Sequence, residues 1–219
     1  MTRLVLTPAE RDAVTAAVVA AEATTDGETV TIVSERSDAY HDVGLHYALV
    51  AVLAVPVAAA IWPALLLPGN GWETGRTHDL TLLLIAQAVA FLIVRFALAW
   101  MPLRLWLTPQ ATKARRVRRR AVQYFRVAAE RRTAGREGVL LYLSADEHVA
   151  EIVADAAVHR AVPPERWAEA MAALVDAVRD GRAGDGMVAA VAAIGAILSQ
   201  HFPKSAGNAN ELPDRVIEL

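Results

Sequence analysis

Five carboxylates fall near expected turns and strand ends in the second half of the chain: Asp146, Glu147, Glu151, Asp155 and Asp185. Oxygen ligands of this kind suit a hard divalent cation, and Asp155 and Asp185 are the first pair to test as a metal site. The D-x-[DN]-x-[DN]-G spacing of a calcium loop is absent. Aspartates also favour turns and helix caps through their own local hydrogen bonds, and that structural role is the simpler account of all five.

Three other groups of side chains could carry chemistry. His41, Asp42 and His46 cluster ahead of a long apolar stretch, but the histidines are five apart, whereas ligands on one helix face sit four apart. Polar side chains at a membrane interface explain them better. Arg95 is the one ionisable residue inside the second apolar stretch, and its long stem can carry the charge to the headgroup layer. Lys113, Arg115, Arg116, Arg118, Arg119 and Arg120 form a basic run directly after that stretch. Such runs are drawn to anionic lipid, and no aromatic stacking platform for nucleic acid accompanies this one. The phosphate loop, dinucleotide fingerprint, G-x-S-x-G and H-E-x-x-H motifs are all missing. The residues thus favour a non-catalytic protein, with no cofactor evident and a divalent metal as the one left open.

The elements around these residues begin with a membrane segment. Over 219 residues the hydrophobic fraction is 55%, and the excess lies in Leu45–Leu67 and Leu80–Leu103. Each is long enough for a hydrocarbon core, which takes roughly 20 apolar residues. Pro56 interrupts the first, which is tolerated where a neighbouring group satisfies the freed carbonyl. Pro68, Gly69, Asn70 and Gly71 mark a turn between the spans, bracketed by Trp62 and Trp72 as interfacial aromatics. The connecting loop offers only Arg76 against Glu73 and Asp79, while Arg104 and the basic run follow the second span. The positive-inside rule then places both flanking pieces, and both termini, in the cytoplasm. The opening segment is amphipathic, so no cleavable signal peptide is expected. The chain holds no cysteine, which excludes disulfides and thiolate chemistry.

The soluble pieces read as an α/β arrangement. Thr7, Pro8 and Glu10 form a helix start with a capping box, and Val14, Ala17, Val18 and Ala21 make its apolar face. Thr29–Ser34 is a β-branched strand. Past the spans, Val117, Ala121, Phe125 and Ala128 continue a helical stripe to about Thr133. Gly138–Ser144 suits a central strand, and His148–Ala154 pairs with it as a hairpin. Pro164 opens a helix carrying Trp167, Met171, Leu174, Val175 and Val178. Gly181 and Gly184 are expected to break it, with Asp185 capping a last helix from Gly186. The tail from Pro203 is expected to lie extended on the surface. Because a lone strand or hairpin is marginal in water, strands from both sides of the apolar hairpin must share one sheet.

These segments resemble the TPM domain, a family that includes thylakoid lumen proteins of photosystem II repair and many bacterial membrane proteins. The resemblance rests on Leu6–Arg11, on Thr29–Val33, on GVLLYLS at Gly138–Ser144, on VAEIVAD at Val149–Asp155 and on the helix junction at Asp180–Gly186. It is nearest to the bacterial membrane-bound branch, with a helical insertion after the first strand. It implies an α/β (α+β) sandwich with a mixed sheet and packed helices, interrupted here by a two-helix transmembrane hairpin. Some members bind calcium or hydrolyse phosphoesters and others are accessory factors. Placement in the cytoplasm, where free calcium is scarce, argues against the calcium role.

The sequence therefore predicts residues 1–44 as the first part of the domain and 45–107 as the hairpin, with spans at about 45–67 and 80–103. Residues 108–202 form the second part and 203–219 the tail. The expected protein is anchored in a bacterial inner membrane and binds a membrane or cytoplasmic protein partner, or assists assembly of a complex. The rival reading is a metal-dependent phosphohydrolase using the clustered carboxylates.

Overall fold

A computed structural model describes residues 6–62, 76–128, 137–205 and 212–219. Its contacts divide the chain into two compact units, Met1–Asp38 with Gln110–Leu219, and Ala39–Pro109.

The first unit is a mixed α/β fold. Its sheet contains β1 (Glu28–Ser34), β2 (Gly138–Ser144), β3 (Val149–Ala154) and β4 (Ile217–Glu218) in the order β3-β2-β1-β4. β2 runs parallel to β1 and antiparallel to β3, and β4 runs parallel to β1. The period of two in a strand sends alternate residues to opposite faces, and β2 uses both. Val139, Leu141 and Leu143 enter one core, while Leu140 and Tyr142 enter another. This is why GVLLYLS is apolar nearly throughout: all seven residues are buried.

Among the described residues, the helices of both units are, in chain order, α1 (Pro8–Glu22), α2 (His41–Ile61), α3 (Arg76–Ala97), α4 (Met101–Leu107), α5 (Gln110–Ala128), α6 (Ala156–Ala161), α7 (Pro164–Arg179) and α8 (Ala183–His201). The larger core takes Val14 and Val18 from α1, Leu174 and Val178 from α7, and Met187, Val191, Ile194 and Leu198 from α8. The smaller core takes Val117, Ala121 and Phe125 from α5. The capping box on α1 forms as the sequence predicts: Thr7 Oγ1 accepts from the Glu10 amide, and the Glu10 carboxylate accepts from the Thr7 amide at 2.7 Å.

In the first unit, three details differ from the expectations. The short helix α6 was not anticipated; it is too brief to show a periodic pattern. The break between α7 and α8 is sharper than expected. Gly181 takes φ +74°, and Arg182 and Gly181 donate back to the Ala177 and Val178 carbonyls at 2.8 and 3.1 Å, a Schellman closure. Gly184 and Gly186 are inside α8, where lack of a side chain permits close packing. A Cβ on Gly184 would lie 2.5 Å from Glu10 Cγ, and one on Gly186 would lie 2.8 Å from Ala177 Cβ. Asp185 is consequently in the first turn of α8 and is not its cap, the cap position being Arg182.

The third difference is the tail. Lys204 and Ser205 donate backbone N–H bonds to Thr24 O and Asp26 Oδ1, and the buried Leu212 donates to Glu28 Oε2. Ile217–Glu218 then adds β4 to the sheet beside β1. The described residues of the tail are docked on their own domain.

In the second unit, α2 and α3 pack against each other. Both carry exposed apolar side chains, among them Leu45, Val50, Leu53 and Val57 on α2 and Leu84, Ile93 and Phe96 on α3. Among the described residues, three helices could cross a membrane by length and composition: His41–Ile61, His78–Ala97 and Ala183–His201, with mean hydropathies of 2.1, 2.2 and 1.4. The third is α8, whose apolar surface is accounted for by the core it fills. Pro56 lacks the N–H that would bond the Val52 carbonyl four residues back. Gln87 Nε2 from α3 donates to that carbonyl instead, at 3.3 Å.

The apolar helices are displaced from the expected spans. α2 begins at His41, and α3 ends at Ala97 instead of Leu103. A short break follows, and Pro102 fits the first turn of α4, where its missing N–H costs nothing. The predicted turn at 68–71 and Trp72 lie outside the described residues.

Candidate functional site

The carboxylates weighed as metal ligands have separate partners. Asp155 is buried, stands at the N-cap position of α6, and accepts from the Gly138 amide through Oδ2 at 3.1 Å. Asp185 is exposed, 3.8 Å from Arg182. Asp146 faces Arg36 at 3.4 Å, and burial raises its carboxyl above the ordinary range while Arg36 pulls it down. Glu151 bonds Arg118 at 3.2 Å, and burial again pushes its carboxyl up against the pull of that cation. Among the described residues, no group of three or more His, Cys, Asp or Glu side chains is arranged to hold a metal ion.

His41, Asp42 and His46 occupy the first turns of α2, both histidines exposed, with the His46 ring 2.6 Å from the Asp42 carbonyl. Arg95 is exposed in the last turn of α3, where a cation complements the negative end of the helix dipole. With α3 ending at Ala97, this charge is terminal on the helix. Arg104, counted above as part of the basic flank, is buried: its Nε and Nη1 donate to the Leu98 and Ala39 carbonyls, each at 2.7 Å.

The basic run lies on α5 and is more than a diffuse charge. Arg116 and Arg119 both reach Asp38 Oδ2 at 3.2 Å, and Arg120 Nε donates to the Ser37 carbonyl at 3.1 Å. The Arg120 guanidinium also stands over the Tyr124 ring, 5.9 Å from its centroid. Arg116, Arg119, Arg120 and Gln123 line a recess of about 140 Å³ together with Ser37. Arg115 is exposed, with Thr112 as its hydrogen-bond partner, and Lys113 is half-buried.

Behind the recess is a buried polar relay that the sequence did not reveal. Ser144 Oγ donates to Glu147 Oε2 at 2.6 Å, Ser37 Oγ donates to Ser144 Oγ at 2.7 Å, and Tyr142 Oη lies 2.9 Å from Ser37 Oγ. With the Ser37 proton committed to Ser144, Tyr142 is the donor to Ser37. The Ser37 amide donates to Glu147 Oε1 at 3.0 Å. Burial raises the Tyr142 hydroxyl above its ordinary pKa, with the serine hydrogen bonds opposing that shift. The relay fixes the residues just beyond the carboxyl end of β1. The nearest hint in the sequence is the polar run SERSD at Ser34–Asp38, which carries no recognisable spacing.

A family model described as the TPM domain matches residues 106–197. No curated protein matches the sequence. Among solved structures, the NMR structure of BA42 protein from the psychrophilic bacterium Bizionia argentinensis is similar, with a TM-score of 0.57 and 16% identity. That likeness covers 97% of this chain and 94% of BA42, and at this identity it speaks to the fold.

Proposed function

We propose that this chain, whose residues 106–197 match the TPM domain model, is a membrane-anchored TPM module that binds a protein partner or assists assembly of a membrane complex. In this reading α2 and α3 cross a bacterial inner membrane, and the α/β unit and both termini are cytoplasmic. The observation that carries it is the surface of the second unit. Large apolar side chains on α2 and α3 face outward, and none of the most apolar stretch of α3 is buried. Soluble proteins rarely leave contiguous apolar surface of that kind in water.

The Gln87–Val52 bond supports the same reading, because a carbonyl freed by proline needs a donor where no water is available. The anchored module is non-catalytic in this proposal, which fits carboxylates that are spread over separate structural partners. Because the tail is docked on its own sheet, the partner surface is assigned to the α/β domain and not to the tail.

Fractionation tests the anchor: the protein should resist carbonate extraction and dissolve in detergent, with protease-accessible tags at both termini on the cytoplasmic side. Recovery as a freely soluble protein, or tags on opposite sides, overturns it. Cross-linking in intact membranes followed by purification tests the partner role, and repeated recovery without a partner counts against it. Hydrolysis of a generic phosphoester that is metal-dependent and lost in Asp155→Asn would replace this reading with an enzyme.

A further inference from the structure

Arg116, Arg119, Arg120 and Gln123 are spaced i, i+3, i+4 and i+7 along α5, so helical geometry gathers them on one side. Opposite them is Ser37, three residues beyond the end of β1. The polar recess between them has roughly ten times the space that admits a single water. Crevices outside the carboxyl ends of parallel strands are the usual ligand sites of α/β sheets, and β1 and β2 are such a pair.

The lining has the chemistry of an oxyanion site. A guanidinium presents five N–H donors in a planar fork. Arg119 spends one on Asp38, and Arg120 spends its Nε on the Ser37 carbonyl. The Arg119 side chain is 67% exposed, so its remaining donors are open to a ligand, whereas Arg116 is 15% exposed and forms the inner wall. Asp38 is the anion a ligand must sit beside, and it pairs with the guanidinium groups of Arg116 and Arg119. A carboxylate would offer two oxygens to this set. A phosphate offers at least three, enough to engage both outer arginines and the Gln123 amide together. The Tyr142–Ser37–Ser144–Glu147 relay holds the opposite wall in place before any ligand arrives.

We propose that this recess binds a phosphate group, gripped by Arg119 and Arg120 with Arg116 behind them. The site is built wholly from the α/β unit and does not depend on the membrane reading. Two sources present the same chemistry, a phospholipid headgroup and free phosphate.

Isothermal titration of the full chain in neutral-detergent micelles, with inorganic phosphate and with glycerol 3-phosphate, separates them. Saturable binding is expected for the wild type. In Arg119→Gln/Arg120→Gln it should weaken by about tenfold or more, the value of one lost charge-assisted hydrogen bond, with the thermal melt retained. If the double variant melts early, the single Arg119→Gln change carries the comparison. Arg115→Gln, outside the recess, should bind like the wild type. A preference for glycerol 3-phosphate of about tenfold or more assigns the site to a lipid headgroup, and any smaller preference assigns it to free phosphate. No saturable binding of either probe overturns the proposal, as does an equal loss in Arg115→Gln, which would reveal only diffuse charge attraction.

Discussion

Gln87 of α3 donates its side-chain amide to the Val52 carbonyl of α2, the acceptor that Pro56 leaves without its helical partner. One hydrogen bond thus repairs the proline and ties the two apolar helices together. Gln87→Leu should lower the stability of the helix pair by about 1 kcal/mol, the usual scale of an interhelical bond in lipid. In a Pro56→Ala background the new amide serves Val52, and the same substitution should cost much less. Reversible unfolding in mixed micelles measures the cycle; equal costs in both backgrounds would sink this account of Gln87.

Arg104 offers a second check on the same unit. Its buried guanidinium satisfies the Leu98 carbonyl at the break after α3 and the Ala39 carbonyl before α2, and Thr108 Oγ1 bonds the Arg104 carbonyl at 2.8 Å. Arg104→Gln cannot span both acceptors and should destabilise by roughly 2 to 3 kcal/mol, the scale of bonds to a charged donor. Arg95→Gln, at an exposed helix end, should change stability by less than about 1 kcal/mol. Denaturation midpoints of the two variants in the same detergent should differ in that order.

The strand β1 carries a residual cost that can be removed. Thr29 and Thr31 are buried with side-chain oxygens that find no hydrogen-bond partner. Valine has the same shape without the hydroxyl, and replacing an unsatisfied buried polar group by an apolar isostere is neutral to stabilising. Thr31→Val should raise stability by about 1 kcal/mol. A loss of that size in urea titration would mean the hydroxyl has an essential partner.

How much of this was legible depended on whether the deciding interaction was local. The α1 start was readable because Thr7 and Glu10 cap each other three residues apart. β2 was readable because burial on both faces demands an uninterrupted apolar run. The start of α8 was misjudged because glycine locally argues for a break. Its reason there is distant: Glu10 of α1 closes on Gly184, and Ala21 of α1 closes on Gly195, where a Cβ would come within 2.5 Å of the Ala21 methyl. The two-residue β4 was invisible for a similar reason, since only its pairing with β1 makes it a strand. In the site, the arginines were evident as a cluster. Their acceptors Asp38 and Ser37 were not, because more than seventy residues of chain separate them from α5.

Glu22 connects the core to pH. The residue is buried, accepts from the Thr29 amide at 2.8 Å, and has Glu28, Asp214 and Lys204 as charged neighbours. Burial raises its carboxyl from 4.5 to about 7, with Glu28 and Asp214 adding to the rise and the Thr29 amide and Lys204 opposing it. A carboxyl whose folded pKa lies above its unfolded value favours folding when protonated. That contribution is complete below about pH 4.5 and is lost as the pH climbs through about 7. Glutamine keeps an oxygen for the Thr29 amide and never ionises. Relative to wild type, Glu22→Gln should therefore gain stability between pH 5 and pH 8, approaching about 3 kcal/mol at the alkaline end. Denaturant titrations across that range measure the difference, and a gap that stays constant with pH would show that Glu22 does not titrate in the folded protein there.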